Sequence, residues 1–168
     1  MTQSREITSL ASFAHSTWKD GPHLDGFDAV VEAITEGAKR VRNRLQEAAL
    51  GDGLGTTGGI NVQGEVVQRL DVEASDIFAD LLTRSGRVAI VDSEEVEETM
   101  VVGSSDEQSY LVLMGPVDGS SNLDVGVSVG SIFGIWKRQP DEPVTSNTVL
   151  RPGREQVAAG TCCMAPAR

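Results

Sequence analysis

The sequence predicts an α+β fold, with N-terminal helices packed on a mixed or largely antiparallel sheet in a two-layer sandwich. Three observations predict it. Apolar residues recur at helical spacing twice before residue 83, strand-like runs follow from Val88, and the two kinds of segment do not alternate. The 168 residues suffice for one domain with a true core, and 39% apolar composition excludes a disordered chain.

Residues 1–20 hold a short apolar patch, Leu10-Ala11-Ser12-Phe13, read as a weak helix or arm. Phe27, Val30, Val31, Ile34, Ala38, Val41 and Leu45 recur at three- and four-residue steps and mark one helical face. Lys39, Arg40, Arg42, Arg44 and Glu47 fall largely off that stripe and read as a solvated face. Gly51 to Gly59, with five glycines in nine residues, reads as a loop. Val67, Leu70, Ala74, Ile77, Phe78, Leu81 and Leu82 predict a second amphipathic helix, ended by Ser85-Gly86. Val88–Val91, Thr99–Val102 and Tyr110–Met114 read as strands. From Leu123 to Trp136 apolar residues alternate with small or polar ones, giving a strand with one face on a core. Gln139 to Pro152 contains three prolines and is a connection, and Gln156–Gly160 starts another strand. There is no internal repeat.

Composition narrows the function classes. A net charge of −11 and a pI near 4.5 argue against nucleic acid and anionic membrane as partners. An acidic chain still binds a phosphorylated substrate if cations stand between its carboxylates and the phosphate. No apolar run approaches the roughly 18 residues of a membrane span. The N-terminus shows no signal-peptide core, and the two cysteines are adjacent, so a cytoplasmic protein without a disulfide framework is expected.

Two clusters carry chemistry. Asp92-Ser93-Glu94-Glu95 follows one predicted strand, and Gly115-Pro116-Val117-Asp118-Gly119-Ser120-Ser121-Asn122 follows another. If those strands are neighbours, Glu94, Glu95 and Asp118 meet at one sheet edge. Carboxylates gather there cheaply only around a cation, and Mg²⁺ takes a few carboxylate oxygens while leaving positions for water and phosphate. Gly119 permits a sharp turn, and the amides and hydroxyls of Ser120 and Ser121 suit phosphate oxygens. Each cluster alone is an ordinary turn; their shared position at strand ends is the signal.

These segments, with Asn61–Val72, Ser85-Gly86-Arg87-Val88, Val127–Phe133 and Gln156–Gly160, occur in an order that resembles the class 1 fructose-1,6-bisphosphatases of bacterial type. The resemblance runs from about Leu10 to Gly160 and implies the N-terminal half of the sugar-phosphatase fold. The Ser120-Ser121-Asn122 ending disfavours the related inositol monophosphatases. The resemblance implies Mg²⁺-dependent hydrolysis of fructose 1,6-bisphosphate to fructose 6-phosphate and phosphate, in a homo-oligomer that is a tetramer in the family. By position, Glu94, the Val117 carbonyl and Asp118 are metal ligands. Asp118, Gly119, Ser120 and Ser121 contact substrate, and Glu95 and Asp71 help activate the attacking water. Glu65 lies where the family often carries an acidic residue on a mobile loop, here Gly51–Glu65.

Two departures bear on activity. Gly115 stands where the family places a metal-bridging Asp, so metal affinity and rate are expected to fall by orders of magnitude. The family continues after residue 160 into a second domain with another metal-binding glutamate and most sugar contacts. Here residues 161–168 form an atypical tail. One reverse translation of Thr161–Pro166, read in a shifted frame, gives the Tyr-Leu-Leu-Tyr-Gly-Pro that suits the family, so a one-base deletion in the Gly160 codon is expected. On that reading the strand after Gln156 is interrupted, and Gly115→Asp alone does not restore turnover. The alternative to an enzyme is an inactive fragment or an oligomerisation module.

Overall fold

A computed structural model describes residues 12, 13, 16, 25–49, 56–60, 66–119 and 127–164. Helix α1 spans Phe27–Ala49 and α2 spans Arg69–Arg84. A small antiparallel hairpin, β1 (Thr56–Ile60) and β2 (Val66–Gln68), lies between them in sequence. A five-stranded sheet follows, built from β3 (Val88–Ser93), β4 (Met100–Val101), β5 (Tyr110–Asp118), β6 (Val129–Lys137) and β7 (Gln156–Met164). Its order is β4-β3-β5-β6-β7; β3 and β5 run parallel and every other pair is antiparallel. Helices on a mixed sheet are what the sequence predicts.

The amphipathic stripes drive this packing. Phe27, Val30, Ile34, Val41 and Leu45 of α1 are buried, as are Leu70, Ala74, Phe78 and Leu82 of α2. They close on the sheet face that presents Val88, Tyr110, Val112, Met114, Phe133 and Ile135. Phe78 meets Phe133 edge-on, with ring centroids 5.0 Å apart. The helices approach closely there: a Cβ at Gly37 would lie 2.3 Å from the Phe78 ring, so only glycine fits. Tyr110 donates its hydroxyl to the Asp25 carbonyl at 3.0 Å, tying the start of α1 to the central parallel pair.

Four expectations need correction. The glycine-rich stretch is not all loop, because Thr56–Ile60 pairs with β2. Backbone hydrogen bonds to a partner strand do not need side chains, so pairing overrides the glycine signal. For the same reason Val67 belongs to β2, and α2 starts at Arg69. Val127 and Ser128 precede β6 and are exposed, so alternation extends one residue pair beyond the strand; Leu123 and Val125 lie outside the described residues. The last strand is not interrupted after Gln156: β7 reaches Met164 and pairs with β6 from Trp136 to Val129. No helix among the described residues is long and apolar enough to cross a membrane.

Candidate functional site

Parallel pairing of β3 with β5 brings the two clusters to one edge of the sheet. Ser93 stands opposite Met114, and Glu94 donates its amide to the Met114 carbonyl at 3.2 Å as the chain turns away. Pro116 then dictates the local shape of β5. Proline has no N–H for the ladder, so strands accommodate it at irregularities. Here Gly115 pairs with Ile132 and Asp118 with Gly130, which leaves one extra residue on β5. The buried Ser131 hydroxyl donates to the Pro116 carbonyl at 2.6 Å and holds this bulge. Beyond it Val117 is buried and Asp118 is exposed. Gly119 turns the chain at φ 82°, a left-handed conformation that a Cβ disfavours.

The second pair of carboxylates belongs to α2 and the turn after β3. Asp71 lies in the first turn of α2 and is buried. Ser75, one turn on and on the same helix face, donates to the Ser93 hydroxyl at 2.9 Å. The Glu95 amide points to the same Ser93 oxygen at 3.4 Å. This link fixes the Asp71-bearing face of α2 against the turn that carries Glu95, and Asp71 Oδ1 and Glu95 Oε2 are both shielded from solvent. Sequence reasoning missed Ser75. Its signal was a small polar residue four positions after Asp71, inside a stripe that is otherwise apolar.

Glu94 and Gly115 are brought together most closely. A Cβ at Gly115 would lie 2.7 Å from Glu94 Oε1, so the glutamate carboxylate occupies the room a side chain at 115 would need. Both residues line a cleft of about 470 Å³ whose walls include Asp92, Thr99, Ile132 and Trp136. Thr99, also missed, donates to Asp92 Oδ1 at 2.7 Å and fixes that carboxylate on the rim. Ser120, Ser121, Asn122 and Glu65 lie outside the described residues. Burial pushes the Cys162 thiol up, away from the reactive thiolate.

The donor set is short of what a divalent metal centre needs. Gly115 gives no side-chain oxygen, and Glu94 has turned into the space beside it. Among the described residues, no three His, Cys, Asp or Glu side chains converge as a metal site. The residues present therefore do not fit a carboxylate cage for metal as they are folded here.

The comparisons agree with this architecture. The family profile described as "Fructose-1-6-bisphosphatase, N-terminal domain" matches residues 9–167. Cytosolic fructose-1,6-bisphosphatases of Brassica napus and Arabidopsis thaliana are 39% and 44% identical to the chain over 159 residues. Those alignments take in 94% of this chain but 47% and 46% of the relatives, so the chain spans about half their length. A crystal structure of Leishmania major fructose-1,6-bisphosphatase in holo form superposes with a TM-score of 0.84 at 31% identity, over 95% of this chain and 50% of that one. Members of this family are metal-dependent phosphatases. With its family profile matched almost end to end and its sheet and helices superposed, this chain belongs to the fructose-1,6-bisphosphatase family through the N-terminal domain.

Proposed function

We propose that the chain is laid out for hydrolysis of fructose 1,6-bisphosphate to fructose 6-phosphate and phosphate, and that the loss at Gly115 leaves it far slower than an intact enzyme. The observation that carries this reading is the Glu94 carboxylate lying in the space beside Gly115, at the edge where the parallel strands end.

The residues divide by the chemistry they offer. The turn at Gly119, with the amides and hydroxyls of Ser120 and Ser121, would donate to phosphate oxygens. Asp118 is exposed on the last position of β5 and would face the phosphate. By position Glu94, the Val117 carbonyl and Asp118 are the groups that would face Mg²⁺, but with Glu94 in the space beside Gly115 they do not form a site for it as folded. Glu95 and Asp71 would take the proton of the attacking water as its oxygen bonds to phosphorus and the ester oxygen departs. Their shielded oxygens, on elements joined through Ser75 and Ser93, support that pairing.

The bacterial subtype, a homo-oligomeric assembly and a cytoplasmic location belong to the same proposal. The cytosolic designation of the plant relatives supports the location. The test is phosphate release from fructose 1,6-bisphosphate by the purified chain with Mg²⁺. Turnover orders of magnitude below that of a full-length relative is expected; turnover matching the relative overturns the reading of Gly115.

A further inference from the structure

Positions 94 and 115 compete for one small volume. A Cβ at Gly115 would stand 2.7 Å from Glu94 Oε1, closer than Cβ atoms approach, and a tight 3.3 Å from its Cδ. The backbone itself does not demand glycine. Residue 115 is a paired strand position opposite Ile132, and its φ is not among the positive values that disfavour a side chain. What blocks a side chain is the movable end of a glutamate, whose own amide is bonded to the strand at Met114.

We infer that Glu94 acts as a plug: its carboxylate fills the hollow left by Gly115 and holds the divalent-cation site of this chain closed. The inference rests on reading 94 and 115 as metal-side positions. Its physical basis is simple. Two carboxylates so near each other repel, and they share a site only when a cation or a shared proton lies between them. With glycine at 115 there is no second carboxylate to repel Glu94, and the hollow is open to it. An Asp at 115 reverses both conditions at once, taking the space and supplying the like charge. Glu94 would then give way, and the two carboxylates would both be available to hold a cation.

The experiment uses the full chain and Mn²⁺ alone as probe, counted by electron paramagnetic resonance, with amide NMR shifts of Glu94 and Glu95 read in parallel. The proteins are wild type, Gly115→Ala, Gly115→Asp, and Gly115→Asp combined with Glu94→Gln. Wild type is expected to bind Mn²⁺ only at about millimolar concentration. Both single variants should shift the Glu94 amide, because each evicts the plug. Gly115→Asp should tighten Mn²⁺ binding at least about tenfold, and the double variant should lose that gain. Micromolar binding by wild type overturns the inference, as does a double variant that keeps the full gain. Gly115→Ala adds only a methyl group and guards against misfolding of the Asp variant; an unmoved Glu94 amide there also overturns the plug. None of these readouts involves the sugar phosphate, so the substrate assignment and the plug fail independently.

Discussion

On the sheet face under α1 and α2, strands β3, β5 and β6 present Val88, Val91, Tyr110, Val112, Met114, Phe133 and Ile135, all closed against the helices. The opposite face carries a smaller cluster, Ala89, Ile90, Leu111, Trp136 and Val149, and then opens into the cleft with Ile132 nearly half exposed. The helix-covered face holds most of the apolar burial that stabilises the domain. The cleft face holds Glu94, Gly115 and the carboxylate of Asp92. Gly115 therefore lies on the open cleft side of the sheet and not in the helix-covered core.

The sharpest way to break this comparison is at Phe78, fully buried between α1 and Phe133. Phe78→Ala is expected to cost about 3–5 kcal/mol, read by denaturant unfolding. A cost near zero would mean that the helices are not packed on the sheet as described. Next in size is Gly37→Ala. Alanine favours a helix over glycine, but here its methyl would meet the Phe78 ring at 2.3 Å. Overpacking of about 1–3 kcal/mol is expected to outweigh the propensity gain, and a stabilised variant would show that α1 and α2 sit further apart.

How far the sequence reveals this asymmetry depends on what each feature needs. The helical stripes, the strands and the place of each site cluster at a strand end are legible because period and strand ends are local properties, whereas the pairing of β3 with β5 that joins the clusters is not. The strand Thr56–Ile60 is not legible, since it pairs only because Val66–Gln68 lies opposite. The start of β7 at Gln156–Gly160 is legible, but its continuation through Thr161–Met164 is not, because β6 supplies the ladder that holds it. At the site, Asp71, Glu94, Glu95 and Asp118 stand out as carboxylates in a recognisable order. The hydroxyl link from Ser75 to Ser93 and the Glu94 carboxylate beside Gly115 are contacts between strands or between helix and strand, which linear spacing does not encode.

Tyr110 tests the helix-covered face through pH. Burial, and then the Asp25 carboxylate, push its phenol well above the usual 10. The raised value has a definite sign for stability. Below pH 10 both states keep the proton and the contribution is complete; above it the unfolded chain ionises while the folded one resists, so stability falls as pH rises. It is the only tyrosine in the chain, so tyrosinate absorbance reports it directly. Tyr110→Phe should lose about 1 kcal/mol at neutral pH with the bond to the Asp25 carbonyl, and should flatten the decline above pH 10. Ionisation of the folded protein at the ordinary tyrosine value would mean that this side chain is open to water.

The smallest effect is expected at Ile132, and it discriminates best because Ile135 lies three positions along the same strand. Odd spacing in a strand puts the two isoleucines on opposite faces. Ile135 is 4% exposed among the helices, and Ile132 is 45% exposed beside Gly115. Threonine keeps the β-branched shape at either position and adds a hydroxyl. At Ile135 that hydroxyl enters the apolar core, and a loss comparable to that of Gly37→Ala is expected. At Ile132 it meets the open cleft, so Ile132→Thr should change stability by no more than about 0.5 kcal/mol. Equal losses at the two positions would mean that something covers the cleft face beside Gly115 in solution.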